Sequence, residues 1–252
     1  MKHLIAFSAA LLFCFALTTR PAEAVIAYDQ NVTPEVIFGS GNANGGFTTD
    51  TVGVVELGLR AKQRFPAANV FNSDGAGGYT FDAGESSPGS GRALWNYEWS
   101  INTDTATGSQ KLADLTYRLD IDSDPAVGSA SFTSFDPMDG SNHTDGFFDH
   151  AFGLNSTGNG AGVVASDVAS YNTALTTYNV AQNSWATVWA GLDTTAAGEY
   201  EIVLSAFDGA TVVASTSIVV TAVPEPSAFL FGGLVCSVLG ANYYRKNKQA
   251  KA

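Results

Sequence analysis

Asp120, Asp122 and Asp124 stand at alternate positions in the run Leu119-Asp120-Ile121-Asp122-Ser123-Asp124-Pro125. Calcium is a hard cation that takes about six to eight oxygen ligands, and closely spaced carboxylates supply them. The run is not an EF-hand: Pro125 occupies the place where that loop needs glycine, and Ser131 the place of its bidentate glutamate. A loop-borne calcium site therefore competes with a plainer reading, in which Asp120 and Asp122 form the wet face of a strand and Asp124-Pro125 begins a turn. A second polar stretch holds Asp136, Asp139, Asn142, His143, Asp145, Asp149 and His150. Imidazole and carboxylate are common metal ligands. No His-x-x-x-His spacing orders these residues, however, and Asp139-Gly140-Ser141-Asn142 reads as a polar loop.

Trp95, Trp99, Trp185 and Trp189 have the chemistry of a sugar-stacking platform. The spacing of Trp95 and Trp99 suits a buried strand face better, because aromatics at period two most often belong to a core. A pair of carboxylates for glycoside hydrolysis is defined by a separation in space of roughly 5–9 Å, which a sequence does not display. Catalytic templates are otherwise missing: there is no Gly-x-Ser-x-Gly elbow. The glycine-rich run at 39–45 lacks the lysine of a phosphate-binding loop. Nothing here marks an enzyme. Asn31, Asn142 and Asn155 each begin an Asn-x-Ser/Thr sequon.

Composition narrows the classes further. All but two of the 24 Asp and Glu lie within residues 25–222, with only half of the 12 Lys and Arg. Phosphate contacts supply most nucleic-acid affinity, so this acidic region is not expected to bind DNA or RNA. It suits solubility, divalent cations and a matrix of polyanions bridged by them. Cys14 and Cys236 both fall outside this region, which leaves it no disulfide, thiolate metal site or cysteine nucleophile. Its stability must come from its core.

The elements that would position these side chains are strands. Gly, Ser, Thr, Asn and Asp punctuate β-rich runs at 52–59, 129–135, 147–154 and 184–192. Trp95, Tyr97, Trp99 and Ile101 alternate with polar residues, as do Leu115, Tyr117, Leu119 and Ile121. Residues 200–207 and 211–221 flank Asp208-Gly209, a pair that favours a tight hairpin. One amphipathic helix is expected over 167–178, with Val168, Tyr171, Leu175 and Tyr178 on one face and Ser166 or Asp167 as its cap. The loops at 72–78 and 82–91 read as long and flexible. With no βαβ alternation, the expected fold is all-β: a β-sandwich or jelly roll over residues 25–222 with one short inserted helix.

Both ends read as addresses. Met1-Lys2-His3, an apolar run at 4–17 and Ala22-Glu23-Ala24 have the parts of a secretory signal peptide, with cleavage between Ala24 and Val25. The run is short for a bilayer span of about 20 residues, which disfavours a retained anchor. At the other end Pro224-Glu225-Pro226 precedes an apolar stretch at 228–244, then Arg245, Lys246, Lys248 and Lys251. That stretch is just long enough for a single transmembrane helix, and the four cations act as a stop-transfer cluster on the cytoplasmic side. The two prolines hold Glu225 on an extended, rigid segment. A stiff linker before an ordinary anchor is the plainer alternative.

This order of Pro-Glu-Pro, one short apolar helix and a terminal basic cluster resembles the PEP-CTERM sorting domain over residues 223–252. The tail here, Tyr243-Tyr244-Arg245-Lys246-Asn247-Lys248, is less arginine-rich than many relatives. The resemblance implies passage through the Sec translocon, recognition by an exosortase and processing near Pro224, Glu225 and Pro226. It implies an exported protein of the cell envelope, the cell surface or an extracellular polysaccharide matrix. Phrases at 36–42, 99–104 and 180–185 also resemble ectodomains that carry such tails, and bring no active site with them. The function expected is therefore structural or adhesive, with calcium as the one cofactor suggested. The alternative is a carbohydrate-binding or carbohydrate-active jelly-roll module.

Overall fold

The computed structural model describes residues 25–63, 69–139 and 149–224, together with residues 237 and 239. Residues 1–24, expected as a leader, Glu225 and Pro226 of the expected sorting motif, the apolar segment at 228–244 apart from Ser237 and Leu239, and the four terminal cations lie outside the described residues, as do Asn142, His143 and Asp145. Among the described residues no helix is long and apolar enough to cross a membrane.

The described residues are mostly β, with two sheets and one α-helix among the named elements, consistent with an all-β fold. Its strands are β1 (Val25–Gln30), β2 (Phe47–Val52), β3 (Val55–Gln63), β4 (Gly78–Asp82), β5 (Trp95–Asn102), β6 (Thr116–Asp122), β7 (Phe132–Phe135), β8 (Ala151–Gly153), β9 (Val163–Val164), β10 (Val180–Trp185), β11 (Gly198–Asp208) and β12 (Thr211–Val223). Helix α1 (Val168–Thr177) precedes β10. The larger sheet has the order β1-β2-β3-β5-β10-β8-β9, and the smaller β4-β12-β11-β6-β7. Neighbours are antiparallel except β4, which runs parallel to β12.

The sheets face each other across one apolar cluster. Period-two alternation builds it: Leu57, Leu59 and Ala61 from β3, Trp95, Tyr97, Trp99 and Ile101 from β5, and Leu119 and Ile121 from β6 all point inward. Tyr200, Ile202, Leu204 and Ala206 from β11 meet them from the opposite sheet.

The structure adjusts several sequence expectations. Residues 52–59 are not one strand, because Gly53, at φ 62°, turns the chain between β2 and β3. The β11–β12 hairpin forms, but Asp208 pairs with Thr211, so Gly209-Ala210 rather than Asp208-Gly209 is its centre. Gly209 has φ 58°, the positive value that a two-residue hairpin needs at its first central position. Residues 184–192 divide into the end of β10 and a 3-10 turn at Thr187–Ala190.

Helix α1 starts at its expected cap: the Asp167 carboxylate accepts from the Ser170 N–H at 2.7 Å. Tyr171 and Ala174 are its buried residues, while Val168, expected on the same face as Tyr171, is exposed. The loops at 72–78 and 82–91 are tied down by carboxylates. Asp74 accepts from the N–H of Ala76 and Gly78, and Glu85 from those of Gly89 and Gly91.

Candidate functional site

The central strands of the larger sheet are buried on both faces. Residues 31–46 run as a strap over the outer face, and the two are joined by polar contacts. Glu56 accepts from Thr33 N–H at 2.7 Å. Gln182 accepts from Ile37 N–H and donates to Glu35 C=O, both at 2.8 Å. Glu98, fully buried on β5, receives Arg60 Nε and Nη2 at 2.6 Å on one oxygen and Lys62 Nζ on the other. The Arg60 guanidinium lies between the rings of Phe47 and Phe71, at 4.1 and 4.3 Å from their centroids, and donates to the carbonyls of Ala43 and Gly45. Lys62 donates to the Asn42 side chain at 2.7 Å. Burial lowers the Arg60 pKa and the adjacent Glu98 charge opposes that; burial raises the Glu56 carboxyl against its bonds from Thr33. The phrases at 36–42, 99–104 and 180–185 meet here, as strap, β5 and β10.

A knot of amides closes one end of this face. Asn102 donates to Thr33 C=O and to the Asn155 side chain, and Asn179 donates to the side chains of Asn102 and Asn155. Asn155, a sequon asparagine, also donates to Asp104 C=O at 2.8 Å. The Asp104 carboxylate accepts from the N–H groups of Ala106, Thr107 and Ser109 and from the hydroxyls of Thr107 and Ser109. Thr107 and then Ser109 hold this carboxyl far below the usual range against its desolvation.

Among the described residues, His150, Asp149 and Asp136 are engaged by partners of their own chain. His150 is buried among Trp99, Trp185, Phe152 and Tyr171. Its Nε2 sits 2.7 Å from Pro137 C=O, and its Nδ1 lies 3.0 Å from the Asn183 amide nitrogen. Both distances are satisfied by one tautomer: Nε2–H donates to Pro137 and Nδ1 accepts from Asn183. Neither ring nitrogen is left for a metal. Asp149 accepts from Asn183 at 2.7 Å and from the Trp185 indole at 3.3 Å. Desolvation works against its charge, but the donors of Asn183 and Trp185 oppose it and its pKa is lowered. Asp136 accepts from Met138 N–H, and burial raises its carboxyl.

Asp120, Asp122 and Asp124 do not converge on one point. Asp120 takes Arg118 Nε at 2.8 Å and the Ser134 hydroxyl. Asp122 takes the N–H groups of Asp124 and Ser131, while Asp124 takes Ala126 N–H and the Ser129 hydroxyl. These are anion-satisfying donors, the opposite of a calcium cage. Among the described residues no trio of His, Cys, Asp or Glu is grouped to hold a metal.

Three of the four tryptophans, Trp95, Trp99 and Trp185, are buried in the core, while Trp189 is 46 % exposed. Tyr28 on β1, also exposed, stands over a surface groove of about 370 Å³ that Asp74, Glu199, Ser217 and Thr221 help to line. A more apolar recess of about 440 Å³ lies at the turns of the other end, lined by Val52, Val54, Leu115, Val212 and Val213. No periodicity marked Tyr28 or Asp74 in advance: the topology alone brings β1, the loop before β4 and β12 together.

Fold and clusters define a two-sheet β protein with a polar, strap-covered outer face. No family model, no curated protein and no solved structure matches the chain.

Proposed function

We propose that this chain is an exported cell-surface or extracellular-matrix protein with a structural or adhesive role, not an enzyme. Residues 1–24 serve as the signal peptide, residues 25–222 as a β-sandwich ectodomain of jelly-roll type, and residues 223–252 as a PEP-CTERM sorting tail. The Sec translocon exports it, the apolar segment at 228–244 holds it in the membrane as a single-pass protein, and an exosortase processes it near Pro224-Glu225-Pro226. The observation that carries this reading is the three-part tail in the sequence, in fixed order at the C-terminus. Two structural facts support it. Strand β12 ends at Val223, immediately before Pro224-Glu225-Pro226. Within that body Trp95, Tyr97, Trp99, Trp185 and Tyr200 are core residues and many carboxylates serve turns and ion pairs, as a display scaffold requires. Replacing Pro224-Glu225-Pro226 by three alanines should leave a longer, membrane-held form in the exporting cell; unchanged processing overturns the exosortase reading.

The groove beneath Tyr28 favours a second reading, a carbohydrate-binding module, because an exposed aromatic beside carboxylates and hydroxyls is a sugar-recognising combination. A glycan array separates the two: binding lost in Tyr28→Ala supports the module, and an empty array supports the scaffold. Calcium at Asp120, Asp122 and Asp124 is tested by thermal melting with and without the ion. An upward shift in Tm supports a site, and no shift at millimolar calcium removes it.

A further inference from the structure

We infer that the end of the β body around Val223 is a lipid-contacting face centred on Trp189, seated against the headgroups of a zwitterionic bilayer surface. The inference rests on the reading of residues 228–244 as membrane-inserted. Only Pro224, Glu225, Pro226 and Ser227 separate Val223 from Ala228. Extended chain covers at most about 3.6 Å per residue, so this tether spans at most about 18 Å. A headgroup layer is itself about 5–8 Å thick on each side. Whatever surrounds Val223 must therefore stand at the membrane surface while the tail is inserted.

Trp189 is there. Ala83 N–H donates to Val223 C=O at 2.6 Å, Gly84 N–H to Thr195 C=O at 2.8 Å and Ser86 N–H to Arg92 C=O at 2.8 Å, and the Arg92 guanidinium lies 5.1 Å from the centre of the Trp189 ring. Two further exposed apolar side chains share this end. Val127, 75 % exposed, follows Pro125, whose carbonyl accepts from Glu199 N–H beside the Gly198–Ala222 pair. Phe132, 45 % exposed, pairs with Asp122 at the close of β6. Trp189 is exposed while the other three tryptophans are buried, and an indole with its apolar body and polar N–H suits the interface layer. Three carboxylates at this end are turned to their own chain, Glu85 to Gly89 and Gly91, Asp124 to Ala126 and Ser129, and Asp193 to Thr195, while Asp82, paired with Val223, is exposed. Among the described residues, Arg92 is a cation placed to meet lipid phosphate.

The four tryptophans make the test direct, since none lies in residues 223–252 and only Trp189 is exposed. The full chain is reconstituted into phosphatidylcholine vesicles with brominated acyl chains, and tryptophan emission is compared with that in unbrominated vesicles. The expected result is partial quenching, confined to one emitter and abolished in Trp189→Phe. Alkaline extraction of the same vesicles shows whether the tail is embedded. A chain released by alkali refutes the membrane-tail reading. A chain that stays embedded yet is not quenched, or is quenched equally in Trp189→Phe, overturns the lipid-contacting face alone.

Discussion

On the inner face of the larger sheet, Leu57, Leu59 and Ala61 meet Trp95, Tyr97, Trp99 and Ile101, and β11 covers them with more apolar side chains. On the outer face the same strands present Glu56, Arg60, Lys62, Asn96, Glu98 and Ser100, and these too are buried. The first surface is hidden because water rejects it. The second is hidden because residues 31–46 cross it and supply hydrogen-bond partners one by one: Thr33 for Glu56, Ile37 and Glu35 for Gln182, Asn42 for Lys62, and Ala43 and Gly45 for Arg60. An apolar face tolerates many partners of the right volume, whereas a polar face tolerates only the geometry that satisfies it. The outer face therefore fixes where the strap lies, and the inner face supplies most of the cohesion.

The sharpest way to break this contrast is Glu98→Ala. It strands the Arg60 and Lys62 charges under the strap and should lower stability by about 3–5 kcal/mol in urea denaturation. Replacing the whole cluster in the triple variant Arg60→Met, Lys62→Met, Glu98→Leu should recover part of that loss, because apolar replacements of a buried ion cluster are often neutral or better. It should stop short of wild type, since the carbonyls of Ala43 and Gly45 lose their donor. Full recovery would mean that the outer face is only a second apolar core.

A smaller effect probes the fit of the strap. A Cβ at Gly58 would stand 2.7 Å from Val32 Cγ1 and 3.3 Å from Phe47 Cδ1. Gly58→Ala should cost about 1–3 kcal/mol by overpacking, again read by urea denaturation.

The smallest effects are in pH dependence, and they have opposite signs. Burial raises the Glu56 carboxyl, so its protonated form favours folding and that contribution is lost as pH rises through its folded value. Wild type should gain stability relative to Glu56→Gln as pH falls from neutrality. Asp104 is held low by Thr107 and Ser109, so its contribution is present above the unfolded carboxylate value of about 3.9 and lost as pH falls through the folded one. Wild type should lose stability relative to Asp104→Asn over that acid range. Melting temperatures of the three proteins against pH check both slopes.

Much of the inner face was legible in the sequence. The alternation of Trp95 through Ile101 and of Leu115 through Ile121 marked strand faces with one apolar side, and β5 and β6 follow. The cap at Asp167 and the β11–β12 hairpin were legible for the same reason, since their signals are local. The strap was not. Residues 31–46 have no period, and the partners that hold them are distant: Ile37 and Gln182 are 145 residues apart, and Val36 and Asn159 are separated by 123. At Asp120, Asp122 and Asp124 spacing reveals the carboxylates but not the donors that face them, Ser134, Ser131 and Ser129. Nothing near His150 in the chain announces that Pro137 and Asn183 occupy its two nitrogens.

Composition and local pattern thus determined by themselves that this is an acidic β protein without cysteine in its body, with strands, one capped helix and a hairpin near predictable positions. These follow from backbone sterics and from the partition of side chains between water and core, which act over a few residues. Only the tertiary structure decided which polar groups are buried and who satisfies them. A charged side chain in mid-strand reads as solvent-facing until a remote segment is laid over it, and whether one is depends on contacts that no stretch of chain contains alone.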